Sequence, residues 1–388
     1  MGRGSYGALR TRGAAGQARG GERPSAHRIR RCVSRRPEVA CGAPELRPTR
    51  RGSAPGRLRR TLLAALIAGA VALPLSAAAE ARIPAPAPAA VGAPTPATLD
   101  GIYAANRANA AEAARMAAAY GARGRAAADR RLAHPARHLL AFDGRGRGLV
   151  TEVLGDLAAA HRVAVLVPGS DTSLDTYDRF RTAALSLYRS LTREAPAGTR
   201  VAVVAWLGYE TPGTVSPAVT TTTRAERAAP RLRAFLRELR TLTGPRRPRV
   251  SLLCHSYGSV VCARAAGSGV DDLVLLGSPG TGARTAAGLD TPARVWAARG
   301  AGDWVEHVPH ISAGLLGTTV GFGTDPVSPA FGARVFPAGD GGHSDYFTPG
   351  SPSLTNLTRI VLGDTDAVAL EEAAGERDQE ARGHATHE

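Results

Sequence analysis

Val250-Ser251-Leu252-Leu253-Cys254-His255-Ser256-Tyr257-Gly258-Ser259-Val260-Val261-Cys262-Ala263 runs from an apolar, strand-like segment through a turn of small residues into a helix-like segment. A serine at such a reversal is lifted out of the fold, with its hydroxyl presented above the strand end. The residues two before and two after it must be small so that strand and helix can approach. Gly258 meets that demand, and Cys254 stands where a glycine is usual. Ser256 is therefore the candidate nucleophile. His255 adjoins it, but neighbouring strand residues project to opposite faces, so the base is expected from elsewhere in the chain. The oxyanion of an acyl-transfer intermediate needs a backbone N–H just after the nucleophile, and Tyr257 has one to give. Leu276-Gly277-Ser278-Pro279-Gly280 looks similar, but Pro279 lacks an N–H, so Ser278 reads as a turn residue.

Working outward from this turn, apolar runs recur at His138 to Phe142, Leu149 to Leu154, Val163 to Val167 and Val201 to Trp206 before it. They recur at Leu273 to Leu276, Val295 to Ala298 and Arg334 to Pro337 after it. The first two flank Asp143-Gly144-Arg145-Gly146 and read as a hairpin. Helix-like sequence separates the later runs, notably Leu174 to Leu191 and the amphipathic Ala225 to Leu242. Continuous apolar strands alternating with helices predict an α/β fold with a mostly parallel, eight-stranded sheet covered by helices on both faces. The nucleophile follows the fifth strand. The core is expected over 136–363, with a fraying, charged tail over 364–388.

A serine hydroxyl needs a base, and the base needs an acid to orient it. Asp303 lies in the Gly-rich loop after Val295 to Ala298, and His343 lies beyond the last strand in Gly341-Gly342-His343-Ser344. The chain order Ser256, Asp303, His343 is the order such an α/β architecture requires. Asp303 could also serve as a helix N-cap, and Asp340 and Asp345 are alternative acids. His307 and His310 compete with His343 as base; standing three apart with no evident third ligand, they do not suggest a metal. Neither a metal nor a cofactor is expected. A second oxyanion donor is expected from Pro168-Gly169-Ser170-Asp171, with the Ser170 N–H the choice and Asp171 next. Trp206, Tyr209 and Trp304 stand near strand ends and are expected to form an aromatic, substrate-binding wall. The loop Trp304 to Ala333 could cover the pocket.

The formal net charge of +16 resides largely upstream of this core. Residues 1–60 hold 16 Arg and 3 Glu, so +13 sits there and +3 remains for the other 328 residues. A nearly neutral folded part excludes nucleic-acid binding as the expected role. Arg57-Leu58-Arg59-Arg60, the apolar stretch Leu62 to Leu75, and Ser76-Ala77-Ala78-Ala79-Glu80-Ala81 together form the charge, apolar run and small-residue order of a secretory signal over 57–81. The run is short for a membrane span, so a released or wall-associated protein with no stable span after cleavage is expected. Residues 1–56 read as a disordered basic extension, or as sequence ahead of the true start. Residues 82–97 read as a mobile Pro/Ala linker, and 98–135 as one or two helices interrupted near Gly121 and Gly124. Export would permit a Cys254–Cys262 disulfide, with two buried thiols as the equal alternative.

Leu166-Val167-Pro168-Gly169, Val203-Val204-Ala205-Trp206-Leu207-Gly208-Tyr209, Cys254-His255-Ser256-Tyr257-Gly258-Ser259 and Gly342-His343-Ser344-Asp345-Tyr346-Phe347 occur in this order. Together they resemble an actinobacterial α/β-hydrolase family, within the serine hydrolases, known as a domain of unknown function. The resemblance covers about 136–348. It implies the α/β-hydrolase fold and a Ser-His-acid site at Ser256, His343 and Asp303, and it supplies no substrate. The expected activity is that of a secreted serine hydrolase acting on a small-molecule or lipid carboxylic ester through an acyl-enzyme. The alternatives are a peptidase or acyltransferase on the same residues, or a non-catalytic surface protein that keeps the fold.

Overall fold

Strands buried on both faces have nothing polar to alternate with, and the apolar runs of the sequence become such strands. The computed structural model describes residues 83–243, 247–267, 269–308, 312–315 and 318–371. The basic extension, the leader and residues 372–388 lie outside the described residues. The strands are β1 (His138–Asp143), β2 (Leu149–Gly155), β3 (Arg162–Val167), β4 (Val201–Leu207), β5 (Arg249–His255), β6 (Asp272–Leu276), β7 (Arg294–Ala298), β8 (Ser312–Leu315), β9 (Thr318–Gly321) and β10 (Arg334–Val335). Eight of them form one sheet in the order β1-β2-β4-β3-β5-β6-β7-β10. β2 is antiparallel to β1 and β4, and every other neighbour pair is parallel. β8 and β9 form a separate antiparallel ribbon inside the long loop after β7.

The helices are α1 (Leu99–Ala119), α2 (Arg123–Leu132), α3 (Tyr177–Glu194), α4 (Thr223–Leu242), α5 (Gly258–Ala263) and α6 (Pro352–Leu362). α4 buries Ala225, Ala228, Ala229, Leu232, Phe235, Leu236, Leu239 and Leu242, a three-and-four spacing that makes one apolar stripe. Each leucine so buried contributes roughly 1.5–3 kcal/mol, so a charge at Leu232 would unseat the helix. α6 begins with Ser351 accepting from the Leu354 N–H, carries Pro352 at its first position, and stops at Gly363 in the left-handed region.

The two faces of the sheet are sorted by strand parity. Val163, Val165, Val167, Ala202, Val204 and Trp206 pack under α4 and α5. Ala164, Leu166, Val203, Ala205 and Leu207 pack under α3 and α6. At the outer edge, Asn106 of α1 is buried and its amide donates to the carbonyls of Leu139 and Leu140 on β1. At the N-terminal ends of the strands, buried Asp272 accepts from Arg249, Arg294, Ser251 and Trp296, which ties β5, β6 and β7 together.

Two expectations about the flanks need correction. The Pro/Ala stretch is extended but not loose, because Asn109 donates to the Ala87 carbonyl and Ala85 packs against the core. The chain also stays on the core past residue 363: Val368 is buried, and the Ala367 carbonyl accepts from Arg359.

Candidate active site

The C-terminal ends of the parallel strands carry the loops in which Ser170, Ser256, Asp303 and His343 sit, so the order of strands in the sheet brings distant residues together. Ser256 has φ 54°, in the left-handed region. That conformation costs an L residue on the order of 1–2 kcal/mol, and here the Ser256 N–H is held by the Leu276 carbonyl at 2.9 Å. Gly258 is required by close approach, since a Cβ there would lie 2.7 Å from the carbonyl oxygens of Val167 and Pro168. Cys254 forms a disulfide with Cys262, closing a short covalent ring around the serine. The disulfide accounts for a cysteine at the position where glycine is usual.

His343 Nδ1 lies 2.9 and 3.0 Å from the two carboxylate oxygens of Asp303. Asp303 is buried and has two occupations, because its Oδ1 also accepts from the Val305 N–H as N-cap of the turn Trp304–His307. Tyr346 donates to Asp303 Oδ2 at 2.5 Å and accepts from the Gly300 N–H. Burial alone would raise the Asp303 carboxyl, but hydrogen bonds from His343, Tyr346 and the Val305 N–H outweigh it and hold the group below its usual range. Gly277 makes room for this cluster: a Cβ there would lie 2.5 Å from Asp303 Oδ2 and 2.9 Å from the Tyr346 hydroxyl. Its only sequence signal is a glycine directly after a strand.

Ser256 and His343 line one cavity of about 740 Å³, within the range of roughly 300–1,000 Å³ usual for small-molecule sites. Among the described residues no hydrogen bond joins Ser256 to His343. Such bonds commonly tighten only in the substrate complex. Ser170 and Tyr257 line the same cavity, and neither N–H donates in any hydrogen bond found among the described residues. The Tyr257 side chain is turned away and fixed, donating to the Thr221 carbonyl and accepting from the Ala225 N–H. Ser278 closes its own turn by bonding Gly280, and Pro279 reaches the cavity wall.

His255 has a place that sequence reasoning did not supply. Its Nε2–H donates to the His343 carbonyl at 2.6 Å, and its ring lies 4.6 Å from that of His343 and 5.7 Å from that of Tyr346. Burial, then the neighbouring His343, lowers its pKa to about 4, so it is a neutral strut beneath the loop. His307 is exposed at the end of its turn, and His310 lies outside the described residues. Asp345 accepts from the Gly342 N–H within its own loop, and Asp340 is exposed.

The expected aromatic wall is corrected in two of its three members. Trp206 is buried on the α4 face of the sheet against Tyr209 and Phe235, because its strand position points it there. Tyr209 is buried too, and its hydroxyl donates to the Pro168 carbonyl at 2.7 Å, bracing the loop that carries Ser170. Neither lines the cavity. Trp304 does, 48% exposed at the rim, with its ring 4.7 Å from that of His343. Phe180, Phe322 and Phe347 supply the aromatic surface instead, and the ribbon loop contributes Val305, Val308 and Gly321.

Residues 143–313 match the family model described as alpha/beta hydrolase. With the strand order and the turn after β5, the chain is an α/β-hydrolase-fold protein. An uncharacterized protein of Mycobacterium tuberculosis is 30% identical over 262 residues, covering 59% of this chain and 39% of that relative. A second uncharacterized protein of the same organism is 31% identical over 168 residues, covering 40% of this chain and 63% of the relative. The chain thus spans less than two thirds of the length of either. Among solved structures, the crystal structure of esterase PE8 is similar over 55% of this chain and 97% of that chain, at 19% identity and a TM-score of 0.39. A serine hydrolase homologue from Coxiella burnetii is similar over 56% and 91%, at 13% identity and a TM-score of 0.31.

Proposed function

We propose that the chain is an exported serine hydrolase that cleaves carboxylic esters through an acyl-enzyme on Ser256. The observation that carries this reading is the hydrogen-bonded pair His343–Asp303 opening onto the same cavity as a serine held in a strained turn. In this mechanism His343 Nε2 takes the Ser256 proton as Oγ attacks the ester carbonyl. Asp303, kept ionised by its donors, fixes the imidazole through Nδ1–H and stabilises its cationic form. The Tyr257 and Ser170 N–H groups receive the developing oxyanion. His343 then gives its proton to the departing alcohol, and water, activated by the same imidazole, releases the acid.

Export is supported by the leader pattern over 57–81 and by the Cys254–Cys262 disulfide, a bond that persists in oxidising compartments. Among the described residues no helix is long and apolar enough to cross a membrane.

Fluorophosphonate labelling of the purified chain, with peptide mapping, tests the reading. Label is expected on Ser256, lost in Ser256→Ala and at least about a hundredfold slower in His343→Ala. A folded protein that takes no label refutes an activated serine.

A further inference from the structure

The cavity beside Ser256 is apolar over most of its wall, yet one lining residue is a permanent cation. Arg179 of α3 stands with Thr176, Phe180 and Ala183, spaced three and four residues apart, and all four line the cavity. That spacing puts them on one stripe of the helix, with Arg179 itself exposed where the stripe borders the cavity. Arg181, two positions on, looks elsewhere and is fixed on buried Glu152. Arg179 has no carboxylate partner among the described residues.

The other ionisable groups of the wall do not meet this charge. Asp171 accepts from the Thr214 N–H, His255 is bonded to the His343 carbonyl, and His343 to Asp303. A guanidinium presents a planar fork of donors that matches carboxylate and phosphate oxygens, and it stays charged at any working pH. Beside it, Phe180, Ala183, Leu166 and Phe347 offer a surface for a hydrocarbon chain.

Resting on the hydrolytic reading above, we propose that Arg179 receives an anionic group of the substrate, so that the site selects anionic amphiphiles. These are esters with an apolar chain and a carboxylate or phosphate several bonds from the scissile carbonyl. The apolar wall binds the chain, Arg179 sets its register by holding the charge, and the ester is thereby placed over Ser256.

Two matched pairs of esters test this on the full chain. One pair is p-nitrophenyl octanoate and the mono-p-nitrophenyl ester of octanedioic acid, which differ by a terminal carboxylate. The other is 1-octanoylglycerol and its 3-phosphate, which differ by a phosphate on the alcohol side. The readout is the ratio of kcat/KM for the charged ester to that for its neutral twin. In Arg179→Gln at least one ratio is expected to fall about tenfold, the loss of one charge-assisted contact, and in Arg179→Glu to fall further. A response of the carboxylate pair places the anion on the acid, and a response of the phosphate pair places it on the alcohol. Ratios unchanged within twofold across wild type and Arg179→Glu, with the neutral esters turned over, overturn the role of Arg179 alone. No turnover of any ester, together with no fluorophosphonate label on Ser256, sinks the hydrolytic reading and this proposal with it.

Discussion

Replacing His255 by glutamine isolates the effect of one half-buried imidazole. Glutamine retains an N–H that can reach the His343 carbonyl, now held at 2.6 Å, but cannot titrate. In the folded protein His255 has a pKa of about 4 against an ordinary 6.5. As pH falls through that window the unfolded chain takes up a proton that the folded chain refuses, so stability is lost on acidification. Each pH unit inside the window removes at most about 1.4 kcal/mol, and between pH 7 and pH 4.5 the loss amounts to about 2 kcal/mol. Buried Asp129 acts in the opposite sense over an overlapping range. Burial raises its carboxyl to about 7, so stability falls as pH rises from the ordinary carboxylate range towards neutrality. Because both proteins contain Asp129, its contribution cancels in their difference. Urea unfolding of wild type and His255→Gln at pH 7 and pH 4.5 reads that difference directly. Wild type should lose about 2 kcal/mol relative to the variant on going to pH 4.5. A difference that moves by less than about 0.5 kcal/mol shows that His255 is not held neutral by its surroundings.

Two further outcomes follow from buried groups. Asp129→Asn removes a carboxyl that is 1% exposed and whose Oδ1 has no hydrogen-bond partner among the described residues; thermal unfolding at pH 8 should show a gain on the order of 2 kcal/mol that disappears by pH 4. Replacing Cys254 and Cys262 together by alanine opens the ring around Ser256, and denaturant unfolding should show a loss of about 2–3 kcal/mol for a loop of this length; wild type unfolded without reductant should take up no iodoacetamide at either cysteine.

The eight strands of the main sheet were legible because parallel strands must be apolar on both faces, and runs such as Val163 to Val167 and Val201 to Trp206 admit no other economical reading. The ribbon of β8 and β9 was not, since Ser312 to Gly321 is short, rich in glycine and threonine, and lacks alternation. Chain order put Asp303 and His343 forward, with Asp340, Asp345, His307 and His310 as alternatives, and the fold brings Asp303 and His343 within hydrogen-bond distance. It gave no access to Tyr346 or Gly277, whose relation to Asp303 depends on loops meeting across the sheet. Trp206 and Tyr209 were misplaced because proximity to a strand end says nothing of side-chain direction. The parity that sends Val204 to the α4 face sends Trp206 there as well. For His255 the parity argument could not reveal that the last loop folds back to bring the His343 carbonyl within hydrogen-bond distance of the ring.

The amide of Asn106 on β1 has a meaning for assembly. An edge strand with free carbonyls is a template on which another chain can add a strand. Here the carbonyls of Leu139 and Leu140 are already taken by a buried side chain, and the pairing of β1 with β2 is irregular between Leu139 and Ala141. At the opposite edge β10 pairs through only Arg334 and Val335. Strand addition is therefore disfavoured at β1 by bonds already made and at β10 by the shortness of the strand.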